Sequence, residues 1–108
     1  MIDINKFEED YGLEKADLLL LLEEFQQNIR NDLPELKLML ASEDFVNLSL
    51  TAHRHKSPAA SLQLIELSDL LKSIELNAKS EPDIEFLTNK IDTLGQELTK
   101  LTELMQTL

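Results

Sequence analysis

The 108-residue sequence contains no cysteine, so disulfide bonds, thiolate metal ligands and cysteine nucleophiles are all excluded. A chain without cysteine is compatible with a reducing compartment, and we expect a cytoplasmic protein. The sequence has only two glycines. It therefore lacks a glycine-rich loop for nucleotide phosphates, and it has too little glycine for the nucleophile turn and oxyanion hole of a serine hydrolase.

Aromatic residues are also scarce, at 5% of the chain, and valine occurs only once. The runs of β-branched and aromatic residues that indicate strands are therefore missing, which predicts an all-α fold. A chain of this length is typical of a single domain, here residues 1–108. It can bury a hydrophobic core without disulfides or metal ions.

Basic residues are outnumbered, with ten lysines and arginines against 21 acidic residues and a net charge of −11. This balance argues against nucleic acid, which is bound through a basic surface, and against anionic membrane surfaces. The longest apolar run, residues 18–22, is too short to cross a bilayer, and the acidic N-terminus does not resemble a signal peptide. We expect the negative charge to serve solubility rather than an acidic docking surface.

Apolar residues recur at steps of three and four along most of the chain, which predicts amphipathic helices. Helix starts are predicted at Asp3, Glu14, Ser42, Leu64 and Ser80. Gly12 should end the first, short helix, and the second should continue to Leu40 as one helix kinked at Pro34. Pro82 is expected in the first turn of the last helix, and Pro58 should bend the third helix near its end.

The four longer helices each carry a narrow apolar stripe, so we predict an antiparallel four-helix bundle with the short first helix across one end or side. The most regular stripe, in the last helix, consists of Ile84, Leu87, Ile91, Leu94, Leu98, Leu101, Met105 and Leu108. Gly95 lies off this stripe and is predicted to face solvent.

Both histidines of the chain lie in the third helix, within Thr51–Ala60. At about 100° per residue, His55 falls on the apolar stripe of that helix and His53 points away from it. His53 is therefore predicted to be exposed and His55 to be buried.

The neighbours of His53 one turn away, Ser49 and Ser57, are small and should leave its imidazole open to a large partner. Lys56 lies three residues on and can reach an anion held near His53. This arrangement suits a reactive histidine, although a surface histidine often has no function. A purely structural bundle is therefore an equally open alternative at this point.

Other kinds of site have less support. The two histidines point to nearly opposite sides of one helix, and no His-x-x-x-His or Glu-x-x-His pattern occurs, so no metal site is predicted. Catalysis by paired carboxylates is not ruled out by number alone. The acidic residues, however, fall mainly on exposed helix faces, where solvation is their ordinary role.

The run Ala52-His53-Arg54-His55-Lys56-Ser57-Pro58-Ala59 resembles the Ala-His-x-Leu-Lys-Gly/Ser signature of histidine-containing phosphotransfer (Hpt) domains. The resemblance extends to three further segments: the helix with Phe25 and Leu-Pro-Glu-Leu at 33–36, Ser42-Glu43-Asp44-Phe45, and Leu67 to Ile74-Glu75. Two positions depart from the family. His55 stands where leucine is usual, and Gln63-Leu64 stands where a glycine is usual.

The resemblance implies phosphoryl relay in a two-component system, with His53 as the phosphoacceptor. It also implies a set of residues that stabilise the phosphate or dock the partner: Lys56, Arg54, Ser57 and Ser49. The implied partners are receiver domains of response regulators or of a hybrid sensor histidine kinase, which would supply the acidic pocket and Mg²⁺. The chain would then be a phosphocarrier without a cofactor of its own, and not an enzyme. The alternative is an adaptor bundle that binds a protein and carries no phosphate.

Overall fold

The computed structural model describes residues 3–108, apart from the side chain of Ile4, and this part of the chain contains five α-helices and no strand. The helices span Ile4–Tyr11 (α1), Lys15–Ala41 (α2), Phe45–Ser61 (α3), Ile65–Lys79 (α4) and Ile84–Thr107 (α5). Helix α3 packs most extensively on α4, α2 packs on both α3 and α5, and α4 packs on α5. The four long helices therefore close into a bundle, and the all-α prediction is confirmed.

The core of the bundle consists largely of the apolar stripes that periodicity predicts. The fully buried large side chains are Phe7, Leu18, Leu22, Ile29, Leu36, Leu48, Leu71, Ile74, Leu87, Ile91, Leu94 and Leu98. Burying each of them stabilises the fold by about 1.5–3 kcal/mol. Ile84 is an exception to the predicted stripe, since it is exposed as the first residue of α5, at the rim of the bundle.

The short helix α1 is bounded by the residues that the sequence indicates. The Asp3 side chain accepts a hydrogen bond from the backbone N–H of Lys6 at its start. Gly12 ends it with φ 65°, in the left-handed region, and donates its N–H to the carbonyl of Glu8. Because Phe7 is buried in the core, α1 is held against the bundle by a large aromatic side chain.

Helix α2 is continuous from Lys15 to Ala41 and passes through Pro34, so the prediction of one long helix is confirmed. Proline removes one backbone donor from the helix. The buried residues on either side of it, Ile29 and Leu36, keep the stripe in phase and hold both halves to the core.

The predicted start of α3 at Ser42 is wrong. Ser42 is the C-cap of α2, and its hydroxyl donates to the carbonyl of Leu38. The N-cap of α3 is Asp44, whose side chain accepts from the N–H of Asn47. Between the two caps Glu43 adopts φ 56°, because a tight reversal between packed helices needs a left-handed residue.

The predicted start of α5 at Ser80 is wrong in the same way. Ser80 is the C-cap of α4, and its hydroxyl donates to the carbonyl of Leu76. Asp83 is the N-cap of α5 and accepts from the N–H of Phe86. Pro82 therefore precedes the helix and does not lie in its first turn.

The turn between α3 and α4 contains the second departure from the Hpt pattern. Gln63 adopts φ 60°, the left-handed conformation that glycine takes most easily. Its side-chain amide donates to Asp10 at 2.9 Å, which ties this turn to α1. A non-glycine residue in this conformation costs about 1–2 kcal/mol, which the packing of the flanking helices must offset.

The prediction that Gly95 faces solvent is wrong. It is half-buried, and a Cβ atom built on it lies 3.7 Å from Cδ2 of Leu33. Gly95 therefore lies on the side of α5 that faces α2. The prediction failed because the contact between α2 and α5 covers a wider arc of α5 than the main stripe.

Candidate functional site

The two histidines lie where periodicity places them. The His53 side chain is 60% exposed, whereas that of His55 is only 7% exposed. They are two positions apart on α3, so their side chains point in very different directions. Only His53 is accessible to a protein partner.

The imidazole of His53 is oriented by a carboxylate on the neighbouring helix. Its Nδ1 lies 2.7 Å from Oε2 of Glu75 on α4. Lys56 donates from Nζ to the other oxygen, Oε1, at 2.8 Å. Glu75 is itself buried, so its position is determined by the packing of α3 on α4.

This contact determines which ring nitrogen of His53 can react. An ionised carboxylate only accepts hydrogen bonds, so Nδ1 carries the proton that it donates to Glu75. In the neutral imidazole the lone pair available for bonding then belongs to Nε2. Within the described residues Nε2 makes no hydrogen bond. In that tautomer, Nε2 is the ring nitrogen that could act as a nucleophile.

The environment of Glu75 keeps it ionised. The hydrogen bond from Lys56 is the main cause that lowers the pKa of the Glu75 carboxyl below its ordinary value. Burial acts in the opposite direction, and the hydrogen bond and charge of His53 add to the lowering. A carboxylate that stays ionised remains an acceptor for Nδ1–H, which maintains the orientation of the ring.

The two serines expected beside His53 have different positions. Ser57 is exposed, as expected for a residue that leaves room for a partner. Ser49 is buried, and its hydroxyl donates to the backbone carbonyl of Glu75 at 3.1 Å. The role in phosphate stabilisation or partner docking that the resemblance implies for Ser49 stays a prediction. In the structure its hydroxyl joins α3 to α4.

A second polar cluster joins α3 to α2. Asp32 of α2 lies 2.6 Å from Nε2 of buried His55 and accepts from Nη2 of exposed Arg54 at 2.7 Å. Burial by itself raises the pKa of the Asp32 carboxyl, but the hydrogen bonds and charges of His55 and Arg54 outweigh it, and the net pKa is lowered. This cluster gives Nε2 of His55 a hydrogen-bond partner at a position where the family usually has leucine.

A comparison with protein-family models matches residues 20–107 to the family described as Hpt domain. The chain belongs to the Hpt domain family. The match covers α3, α4, α5 and most of α2, and it includes both polar clusters. No curated protein and no solved structure was found to match the chain.

Hpt domains are phosphocarrier modules that act by histidine phosphotransfer in two-component phosphorelays and interact with receiver domains. In this Hpt domain the exposed histidine lies in the middle of α3, inside the matched residues. Among residues 3–108 no group of three or more potential ligands could hold a metal ion. No helix in the same part of the chain is long and apolar enough to cross a membrane.

The sequence alone does not identify two acidic residues of these clusters. Glu75 enters only through the family resemblance, and Asp32 belongs to no motif. Glu75 lies 22 positions from His53, and Asp32 lies 23 positions from His55. Both acidic residues lie on or beside the apolar face of their helix, where a charge needs a partner. This position is the feature of the sequence that could have indicated them.

Proposed function

We propose that this Hpt domain is a phosphorelay intermediate in which Nε2 of His53 accepts a phosphoryl group from a receiver aspartate and passes it to the aspartate of another receiver. The observation that supports this proposal is the 2.7 Å contact between Nδ1 of His53 and Glu75. It leaves Nε2 as the unprotonated nitrogen of the neutral ring, on a side chain that is 60% exposed.

The chemistry of acceptance is a direct displacement at phosphorus. The Nε2 lone pair attacks the phosphorus of the aspartyl phosphate, the bond from phosphorus to the carboxylate oxygen breaks, and the aspartate leaves as a carboxylate. The phosphoimidazole keeps its proton on Nδ1 and gains a positive charge on the ring. Glu75 is positioned to stabilise that charge across the existing hydrogen bond.

Lys56 is the cation best placed to act on the transferred group. It lies one turn from His53 and is bound to the same carboxylate at 2.8 Å. A lysine at this position can partly neutralise the phosphoryl oxygens, as cations do in phosphoryl transfer generally. Arg54 is paired with Asp32 of α2 and not with the carboxylate that contacts His53.

The remaining parts of the reaction are assigned to the partner. Phosphoryl transfer needs a metal ion and an acidic pocket around the aspartate, and we assign both to the receiver domain. The receiver belongs to a response regulator or to a hybrid sensor kinase. A cytoplasmic location, as expected from the sequence, is part of this proposal.

The test is phosphoryl transfer from a labelled, phosphorylated receiver to three forms of the protein. Wild type and His55→Leu should acquire acid-labile label, and His53→Gln should acquire none. Mass spectrometry of the labelled wild type should place the phosphate on His53. Label on His55, or transfer to His53→Gln, would show that the assignment is wrong. A complete lack of label with every receiver of the same genome would favour the adaptor alternative.

A further inference from the structure

Four consecutive residues of α3, residues 53–56, each make a polar contact with a neighbouring helix. The first and the last contact Glu75 of α4, and the middle two contact Asp32 of α2. At about 100° per residue, the mean directions of these two pairs are about 180° apart around the helix axis. Two carboxylates on different helices therefore hold the same turn of α3 from opposite sides and resist its rotation.

The same turn lies beside a missing hydrogen bond in the backbone of α3. Pro58 lies inside the helix and has no N–H group, so it cannot donate the helical bond to the carbonyl of Arg54. A helix bends more easily where one of its hydrogen bonds is missing. The orientation of His53, the residue before Arg54, therefore depends more on side-chain contacts than it would in an uninterrupted helix.

On the α2 side, His55 is the residue that most needs its partner. Its side chain is only 7% exposed, and its Nε2 lies 2.6 Å from Oδ2 of Asp32. Arg54 is 64% exposed and can bond to water if Asp32 is removed. A nearly buried ring nitrogen without an acceptor costs free energy unless the ring moves to find one. Because the helix is weakened at this turn, such a movement is transmitted to His53, two residues earlier.

We propose that Asp32 is a positioning residue for His53 and acts through His55 on the opposite side of α3. Asp32 holds His55, His55 holds the turn of α3, and the turn aligns Nδ1 of His53 with Glu75. This role exists because position 55 is a histidine, since leucine there would have no nitrogen in need of an acceptor. The effect on phosphoryl transfer rests on the proposed function, whereas the alignment of the ring can be measured without it.

The first measurement follows the ring of His53 in the unphosphorylated protein. Nitrogen-15 NMR gives the share of the neutral ring that carries its proton on Nδ1. In Asp32→Ala this share should fall, because the ring is less well aligned with Glu75. Adding His55→Leu to Asp32→Ala should restore the wild-type share, because the unpaired nitrogen is then gone. Arg54→Ala should not change it, because Asp32 still contacts His55.

The second measurement is the rate at which phosphoramidate phosphorylates His53. In this reaction Nε2 bonds to phosphorus, the bond from phosphorus to the donor nitrogen breaks, and ammonia leaves, so no protein partner is needed. Asp32→Ala should lower the rate by at least about fivefold, since a small misplacement of a reacting group is costly. His55→Leu, Arg54→Ala and the double variant Asp32→Ala with His55→Leu should stay within about twofold of wild type.

Two further variants separate lost alignment from lost stability. Leu101→Ala removes a buried side chain from α5, which packs on α2 and α4. It should lower the melting temperature, but at a temperature where every variant is folded it should change neither the His53 tautomers nor the rate. Asp32→Asn keeps only a weaker acceptor for His55 and should produce the Asp32→Ala pattern at smaller size. It decides the question if Asp32→Ala does not fold.

Three results would overturn the positioning role of Asp32 and leave the proposed function intact. One is an unchanged tautomer share or rate in Asp32→Ala. Another is a loss that persists after His55→Leu is added, which would mean that Asp32 does not act through His55. The third is an equal loss in Leu101→Ala. If neither phosphoramidate nor a phosphorylated receiver labels His53 in the wild type, the proposed function fails, and the NMR comparison still decides whether Asp32 positions the ring.

Discussion

Glu75 of α4 and His53 of α3 are joined by a 2.7 Å hydrogen bond between Oε2 and Nδ1, although they are 22 residues apart in the sequence. The other oxygen of the same carboxylate binds Lys56. One buried side chain therefore orients both the proposed nucleophile and Lys56. The geometry of the site consequently depends on the packing of α3 against α4.

Removing Glu75 should alter the tautomer of His53 before it alters the fold. In Glu75→Ala the ring loses its acceptor at Nδ1, so both neutral tautomers become populated and the rate of acceptance should fall by at least about tenfold. Glu75→Gln is the matched control, because its amide oxygen can still accept from Nδ1–H. Nitrogen-15 NMR of the His53 ring and single-turnover transfer measure the two effects. An unchanged tautomer ratio in Glu75→Ala would contradict the role given to this contact.

Glu75 should also contribute to stability in a way that depends on pH. Its pKa is lowered in the folded state, chiefly by the hydrogen bond from Lys56, so the unfolded chain binds a proton more readily. Its contribution is therefore complete above the ordinary glutamate pKa of about 4.3 and is lost as the pH falls through the lower folded value. The difference in unfolding free energy between wild type and Glu75→Gln should therefore shrink below about pH 4. Urea titrations at each pH measure it, and a difference that grows on acidification would show that the sign is wrong.

Substitution of Asp32 should destabilise the fold more than substitution of His55. Asp32→Ala leaves the buried Nε2 of His55 without its acceptor, so we expect a loss of about 1–3 kcal/mol. His55→Leu leaves Asp32 paired with Arg54 and, at 26% side-chain exposure, in contact with water. We expect the free energy of unfolding of His55→Leu to change by less than about 1 kcal/mol, since leucine also suits the buried position. Chemical denaturation of both variants and of the double variant measures the asymmetry, and an equal loss in the two single variants would contradict it.

The packing of helix α1 against the bundle should depend mainly on one of its two aromatic residues. Phe7 is buried in the core, whereas Tyr11 is half exposed, although their rings lie 4.9 Å apart. Phe7→Ala should therefore lower stability by about 3 kcal/mol, and Tyr11→Ala should lower it by about 1 kcal/mol or less. Thermal unfolding of the two variants tests this ranking. A larger effect at Tyr11 would mean that α1 is held by its exposed side.

Helix ends were the least accurate part of the sequence-based prediction, and the reason is local competition. Ser42 and Asp44 can both cap a helix, and so can Ser80 and Asp83. In both turns the serine ends one helix and the aspartate begins the next. Capping propensity does not distinguish the serine from the aspartate in either turn. Which of them begins the next helix depends on how many residues the turn between the two packed helices requires.

The sequence by itself determined which histidine is exposed. The direction of a side chain on a helix follows from a rotation of about 100° per residue, a local property of the backbone, so His53 and His55 were assigned correctly to opposite environments. Only the tertiary structure decided that Glu75 meets His53 and that Asp32 meets His55. Contacts between helices depend on how far each helix slides and rotates against its neighbour, and the packing of many apolar side chains determines both together.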